Sequence, residues 1–95
     1  MILEGFDKAF ENRVRLGMMS ILMVNEWVEF TELKELLDVT DGNLASHITY
    51  LEKADYIETR KSFIGKKPNT TFRASKAGRN AFKQHLKALE KLLKK

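Results

Sequence analysis

The residues best suited to chemistry are cations gathered around a turn late in the chain. The stretch SFIGKKPNTTFR, residues 62–73, holds the only proline of the sequence and a glycine between β-branched and aromatic residues. The cations on or beside it are Arg60, Lys61, Lys66, Lys67 and Arg73. Such side chains on a hairpin can neutralise phosphates, and a proline stiffens the tip and lowers the entropy lost on binding. The pattern indicates contact with a phosphate backbone; the alternative is a soluble loop whose lysines prevent edge aggregation.

A second set of candidate residues lies on a helix predicted over residues 41–55. Leu44, Ile48 and Leu51 recur at helical spacing and would face the core, which leaves hydrogen-bonding side chains exposed. The polar residues of this helix are Asn43, Ser46, Thr49, Tyr50 and Lys53, with His47 nearer the boundary and Thr40 at the N-cap. Amide and hydroxyl groups can donate to and accept from base edges in a major groove. The alternative is an ordinary solvated face, although Ser, Thr and Asn are mediocre helix formers.

Catalytic and metal sites are not indicated. The sequence contains no cysteine, which excludes thiolate catalysis, disulfides and thiolate zinc sites. Its two histidines, His47 and His85, have no partner at metal-binding spacing, and no glycine-rich phosphate loop is present. We therefore predict no enzyme activity, no catalytic residue, no metal and no cofactor.

The charge is distributed unevenly along the chain. Residues 1–59 carry 5 Lys/Arg and 12 Asp/Glu, a net charge of −7, whereas residues 60–95 carry 12 Lys/Arg and one Glu, a net charge of +11; the sum is +4. A basic third of a small domain favours a polyanionic partner such as nucleic acid. The alternative is a solvated face or a lysine-rich tail helix. The apolar stretch LGMMSILMVNEWVEF is too short and too interrupted to span a bilayer, so we expect no membrane partner and a cytoplasmic location.

The periodicity predicts helices and a hairpin in an order that is typical of a winged helix. The first predicted elements are a helix over about residues 6–26, a linker or one-bridge strand at 27–30, and a helix capped by Thr31 that ends near Asp38. The helix capped by Thr40 follows. After it come a hairpin, with strands at 56–63 and 70–75 and a long tip at 64–69, and a last helix capped by Ser75. Two helices joined by about four residues indicate a helix-turn-helix. The expected fold is mostly α with a small β-hairpin: a winged helix-turn-helix with an extended C-terminal helix. A single domain over residues 1–95 would comprise a helix-turn-helix at about 31–54, a wing at about 56–74 and a C-terminal helix at about 76–94.

The last helix has an apolar stripe that is longer than a small core requires. Its members are Phe82, Leu86, Leu89 and Leu93, spaced by 4, 3 and 4 residues. The stripe could pack on its own domain, against the same helix of a second copy, or both. We expect both, and hence a homodimer through residues near 78–95, which would place two recognition helices about one DNA turn apart.

Four short motifs resemble the small stand-alone winged-helix transcriptional regulators of the MarR/ArsR superfamily. They are Thr-x-Gly-Asn-Leu-x-x-His over residues 40–47, Leu-Glu-Lys-x-x-Tyr-Ile over 51–57, Gly-Lys-x-Pro-x-Thr over 65–70 and Ser-x-x-Gly-Arg over 75–79. The resemblance implies a homodimeric DNA-binding regulator. It implies groove-side positions for Asn43, Ser46, His47 and Tyr50 and wing contacts for Lys66, Lys67 and Arg73. Ala54 and Asp55 depart from the pattern, since many members have glycine where this chain has Asp55.

The sequence therefore predicts a dimeric, sequence-specific regulator of transcription that binds double-stranded DNA. Its third helix would enter the major groove, and its wing would contact the backbone or the minor groove. An alternative is a winged-helix module that binds other proteins and no DNA. RNA binding is less favoured, because single-strand readers expose stacking aromatics and the aromatics here are few and mostly at core-like positions. The absence of cysteine and histidine clusters argues against metal or thiol sensing and leaves a small-molecule effector as an open partner.

Overall fold

The chain folds into helices and strands in the predicted order. The structure, a computed structural model, describes residues 3–94. After a short 3-10 helix at Lys8–Phe10 come α1 (Arg13–Val24), β1 (Val28–Glu29), α2 (Phe30–Leu37), α3 (Asp41–Lys53), β2 (Ile57–Ile64), β3 (Lys67–Ala74) and α4 (Lys76–Leu93). The predicted fold class, a mostly helical winged helix-turn-helix with a small sheet and an extended C-terminal helix, is confirmed.

The first helix is shorter than the sequence predicted. The Asn12 side chain accepts hydrogen bonds from the backbone N–H groups of Val14 and Arg15, so α1 begins at Arg13. The preceding residues form the separate 3-10 helix, which the Asp7 side chain caps through the N–H of Ala9. The predicted start near residue 6 is therefore wrong, because two capping residues interrupt one apolar periodicity. In the part of the chain that the structure describes, no helix has the length and apolarity needed to cross a membrane.

The second helix begins two residues earlier than predicted. Its N-cap is Glu29, which makes no side-chain capping bond, and Thr31 lies inside the first turn. The predicted capping role of Thr31 is wrong because β1 pairs with β3 up to Glu29, so the chain passes from extended strand directly into α2. The helix ends before Asp38, whose φ of 53° is the left-handed conformation common at helix C-termini.

The predicted third helix is confirmed. Thr40 caps α3 by accepting a hydrogen bond from the backbone N–H of Asn43 at 3.1 Å. Leu44, Ile48 and Leu51 are all buried. Asp41, in the first turn, forms a 2.8 Å ion pair with Lys34 of α2, which links the two helices of the helix-turn-helix on their exposed side.

The hairpin has a tight tip in place of the predicted long one. β2 and β3 pair antiparallel from Ile57 with Ala74 to Ile64 with Lys67, so only Gly65 and Lys66 form the turn. Gly65 has a φ of 64°, and a positive φ at the first of two turn residues is the type II′ requirement, which glycine meets without strain. Pro68 follows in β3, where the strand pairing accommodates it at the ribbon end. The wing is therefore a regular two-stranded ribbon, and β1 completes the sheet in the order β1-β3-β2.

The core lies where the helices meet the base of this sheet. The largest fully buried side chains come from the 3-10 helix and from α1, α2 and α3: Phe10, Met18, Met19, Leu22, Leu33, Leu44 and Leu51. Phe72 of β3 and Phe82 of α4 complete the cluster. The Phe10 ring stacks on Tyr56 and meets Phe82 edge to face, with ring centroids 5.5 and 5.2 Å apart.

A junction of four elements sets the direction in which the wing leaves the core. The end of α3, the start of β2, the end of β3 and the start of α4 meet at Asp55, Tyr56 and Ser75. The backbone N–H of Ser75 donates to the Tyr56 carbonyl at 3.0 Å, and its hydroxyl donates to the Asp55 carbonyl at 2.7 Å. Asp55 has a φ of 60°, which gives a physical reason why a glycine is expected at this position.

The segment before α1 is tied to the same junction. The Tyr56 hydroxyl donates a hydrogen bond to the Asp7 carboxylate, and this bond, more than burial, raises the pKa of Tyr56 to about 12. The backbone N–H of Asp7 donates to Nδ1 of the buried His85 at 3.0 Å. His85 is therefore a hydrogen-bonded core histidine, and its ring packs edge to face against Phe6 and Phe10.

Two glycines near helix starts provide a test of the junction. A Cβ on Gly78 would overlap the backbone carbonyl of Tyr56, whereas a Cβ on Gly42 would meet no atom within 4 Å. We expect Gly78→Ala to lower the free energy of unfolding by about 2–4 kcal/mol. Gly42→Ala should leave it unchanged or raise it by up to about 1 kcal/mol, because alanine favours the helix. Urea unfolding measures both, and equal stability of the two variants would contradict the close contact.

Candidate nucleic-acid interface

The exposed face of α3 carries the polar residues that the sequence singled out. Asn43, Ser46, Thr49 and Lys53 are all exposed, opposite the buried leucine and isoleucine positions. Thr49 donates its hydroxyl hydrogen to the Ala45 carbonyl at 3.1 Å, and Thr40 uses its hydroxyl oxygen in the N-cap. The side chains of Asn43 and Ser46 are therefore the best placed to hydrogen-bond with a ligand.

Arg15 of α1, which was not among the predicted site residues, contacts both His47 and Tyr50 of α3. Its Nε donates to the Ala9 carbonyl at 2.7 Å, which anchors the guanidinium beside α3. Its Nη1 donates to Nδ1 of His47 at 3.1 Å, since a guanidinium can only donate. The same group lies over the Tyr50 ring, 3.8 Å from its centroid. No local spacing links residue 15 to residues 47 and 50, so only the packing of α1 against α3 reveals the contact.

Burial and the contact with Arg15 together determine the protonation state and the tautomer of His47. Partial burial, followed by the charge of Arg15, lowers the pKa of His47 below its ordinary value of 6.5. The ring is therefore neutral at pH 7, and with Nδ1 accepting from Arg15 its proton resides on Nε2. His47 thus offers one N–H donor, which suits an acceptor such as guanine O6 or N7 or a phosphate oxygen.

Three of the predicted wing cations are free to meet a ligand. Lys61, Lys66 and Lys67 are exposed, and none of them forms an ion pair within residues 3–94. Lys61 also borders an open cleft of about 350 Å³ between the wing and α3. The floor of this cleft includes Ile48 and Phe72, and Thr49 lies on its α3 side. Lys61 of the wing and Thr49 of α3 therefore line the same concave surface.

The two wing arginines are engaged on the other face of the sheet. Arg60 and Arg73 both lie over the ring of Trp27, at 4.2 and 4.7 Å from its centroid. Arg73 also pairs with Glu58 at 2.7 Å and approaches Glu26 at 3.8 Å. Because strand side chains alternate, these residues point away from the cleft that Lys61 borders. Arg73, which the sequence predicts to contact DNA, therefore already has two carboxylates beside its guanidinium.

The cations of α4 are separate from this surface. The lysines at 76, 83, 87 and 91 are exposed on the helix, and Lys94 pairs with Glu90. Arg79 donates to the carbonyls of Met23 and Leu22 at 3.2 and 3.4 Å, so it caps the C-terminal end of α1. Much of the positive charge counted in the last third of the sequence therefore lies outside the helix-turn-helix and the wing.

The apolar stripe of α4 divides into a core part and an exposed part. Phe82 is 4% exposed and packs in the core of its own chain, so it offers no surface to a second copy. Leu86 and Leu89 are partly exposed, and Leu93 is 80% exposed. The predicted dimer seam is thereby restricted to the three leucines.

A helix-turn-helix whose α3 has an exposed face rich in hydrogen-bonding groups, next to a lysine-bearing wing, is the arrangement of a winged helix that binds DNA. The chain belongs to the winged helix DNA-binding domain family, whose pattern matches residues 14–93. An uncharacterized protein of Methanocaldococcus jannaschii is 38% identical over 87 residues, which cover 92% of this chain and 95% of that protein. The solved structure of a transcriptional regulator homologue from Pyrococcus horikoshii OT3 has a TM-score of 0.86 and 31% identity, and the match covers 98% of this chain and 90% of that one.

Arg15→Met tests the link between α1 and the α3 face. Loss of the guanidinium should move the pKa of His47 toward 6.5 and free both ring nitrogens, as measured by NMR titration of the histidine ring. With the wild-type pKa lowered, stability is full above pH 6.5 and falls as the pH drops toward the folded pKa; the variant should show a weaker fall over this window. Arg13→Met, which removes an exposed cation from the same helix, is the control. Identical His47 titrations in the wild type and Arg15→Met would contradict the contact.

Proposed function

We propose that this protein is a dimeric transcriptional regulator that binds double-stranded DNA in a sequence-specific manner. The observation that carries the proposal is the cleft between α3 and the wing, which Thr49 of α3 lines on one side and Lys61 of the wing lines on the other. A helix can enter the major groove while an adjacent basic ribbon neutralises phosphates beside it. The winged helix DNA-binding family and the likeness to a transcriptional regulator homologue support this function.

In this proposal α3 reads bases and the wing positions the protein. Asn43 can form a bidentate contact with adenine, Ser46 can contact several bases, and His47 presents a single donor. Tyr50 and Lys53 lie further along the exposed face, toward the flanking phosphates. The wing lysines at 61, 66 and 67 contribute salt-dependent affinity that is the same for every sequence. Arg60 lies over Trp27 on the opposite face of the sheet, so it could reach the DNA backbone only from that face.

Dimerisation through α4 would give the assembly two copies of the DNA-binding surface. Leu86, Leu89 and Leu93 lie at i, i+3 and i+7 and are exposed on one side of the helix. Exposed leucines at this spacing suit a two-fold helix pair, in which the same stripe of each copy covers the other. A two-fold arrangement of this kind, as in the MarR/ArsR superfamily that the motifs resemble, would present two copies of α3 to successive turns of the duplex.

Substitution of wing lysines and of Asn43 should separate the two kinds of contact. Lys66→Ala with Lys67→Ala should weaken binding to all duplexes alike and reduce the slope of log affinity against log salt by up to about 2. Asn43→Ala should weaken binding to the preferred sequence only, by about 1–3 kcal/mol, and relax preference at one position of each half-site. Fluorescence anisotropy between about 50 and 200 mM salt measures both effects.

Lysines of α4 supply the matched control for this experiment. Lys83→Ala with Lys87→Ala removes the same charge from a helix outside the proposed interface, so the salt slope should change by clearly less than in the wing variant. If the α4 variant loses as much affinity as the wing variant, binding follows total charge and the proposed interface is wrong.

Leu89→Glu should convert the dimer into a monomer, because it places like charges opposite each other in the seam. Leu36→Glu changes an exposed leucine on α2, outside the proposed seam, and should leave the dimer intact. Sedimentation velocity at tens of micromolar distinguishes the two states. A wild-type protein that sediments as a monomer would exclude this seam.

A further inference from the structure

The tip of the wing carries a large aromatic side chain in an exposed position. Phe63 is 72% exposed, and Ile64 next to it is 64% exposed. Phe63 is paired across the ribbon with Pro68, so two rigid apolar groups share one face at the tip. Most of the few aromatic residues are predicted at core-like positions, and Phe63 is an exception. Within residues 3–94 the Phe63 ring stacks on no other aromatic ring, and an aromatic side chain this exposed suggests a contact with another molecule.

The face of the ribbon on which Phe63 lies is the face that meets α3. Side chains alternate along a strand, so Phe63 is on the same side as Thr59 and Lys61. Thr59 donates a hydrogen bond to Glu52 of α3, and Lys61 borders the cleft between α3 and the wing. Ile64, one residue later, is on the opposite side, with Arg60. Phe63 is therefore directed toward the surface on which α3 would receive DNA.

The length of the ribbon places Phe63 beyond the groove that α3 would occupy. Four residues separate Thr59, which contacts α3, from Phe63, a distance of about 13 Å along a strand. The major groove is about 12 Å wide, so with α3 in that groove a side chain this far along the ribbon could reach the adjacent minor groove. Lys61 lies on the same face as Phe63, and Lys66 is in the turn at the tip, so positive charge lies beside the ring. This charge suits a polyanion and disfavours a purely apolar partner.

We propose that Phe63, backed by Pro68, inserts between base pairs from the minor groove and kinks the duplex, while the surrounding lysines hold the flanking phosphates. Apolar side chains used in this way unstack a base step and bend DNA toward the major groove. The effect is greatest at flexible pyrimidine–purine steps, so the wing contributes to sequence preference without hydrogen bonds to bases. This inference rests on the proposed DNA-binding function and assigns a distinct role to one residue of it.

The experiment uses the full chain and a duplex selected for binding from a random library. A series of such duplexes carries 2-aminopurine at successive positions, whose fluorescence rises when the base is unstacked, and a donor and acceptor dye at the two ends to report bending. The wild type should increase 2-aminopurine fluorescence at one step beside each α3 site and should shorten the end-to-end distance. Phe63→Ala should abolish both signals and lower the affinity by about tenfold or more, whereas Phe63→Leu should retain part of both.

Ile64→Ala is the matched control, since it removes a similarly exposed apolar side chain from the opposite face of the same tip. It should retain the unstacking and bending signals, and all variants should unfold at the wild-type temperature because the substituted side chains are exposed. Wild-type binding without unstacking or bending, or equal losses in Phe63→Ala and Ile64→Ala, would overturn the wedge and leave the DNA-binding function standing. A Phe63→Ala protein that loses its dimer state, or a wild type that prefers single strands, would also overturn it. Absence of any salt-dependent duplex binding would overturn the wedge and the proposed function together.

Discussion

The close contact between the first turn of α4 and the backbone of Tyr56 is the constraint on which the functional surface depends. Gly78 allows this approach, and Ser75 fastens the strand end to the turn that leads from α3 into the wing. Because Asp55 and Tyr56 follow α3 directly, the same bonds set the angle between the recognition helix and the ribbon. A side chain at position 78 would separate them, and the cleft that α3 and the wing share would lose its shape.

Electrostatics adds a second level of organisation to this frame. Carboxylates and the Trp27 ring hold the wing arginines on one face of the sheet, while the wing lysines form no ion pair with any of the residues that the structure describes. Arg15 of α1 positions His47 through a hydrogen bond and Tyr50 through a cation–π contact, and a neutral His47 can offer only one N–H donor. His47 and Tyr50 of α3 are thus held by a neighbour, whereas the exposed wing lysines that could bind phosphate form no ion pair within residues 3–94. This division fits the proposed roles of α3 and the wing.

Local patterns predicted the fold well but predicted its boundaries and its long-range contacts poorly. The buried stripe of α3, the caps at Thr40 and Ser75 and the hairpin followed from spacing and residue type. The start of α1 and the cap of α2 did not, because capping by Asn12 and pairing of β1 compete with periodicity. At the candidate site the exposed α3 residues and lysines were predictable. The roles of Arg15 and Trp27 and the exposure of Phe63 depend on packing between distant segments, which spacing does not encode.

We propose that α3 and the wing, and not the cations of α4, form the DNA-binding surface. The most direct test is a two-dimensional NMR titration of the labelled protein with a duplex, followed by assignment of the perturbed backbone amides. The perturbations should concentrate at residues 40–50, which span most of α3, and at 61–67 of the wing, and the amides around Lys83, Lys87 and Lys91 should change little. Perturbations concentrated along α4, with α3 unaffected, would contradict this proposal.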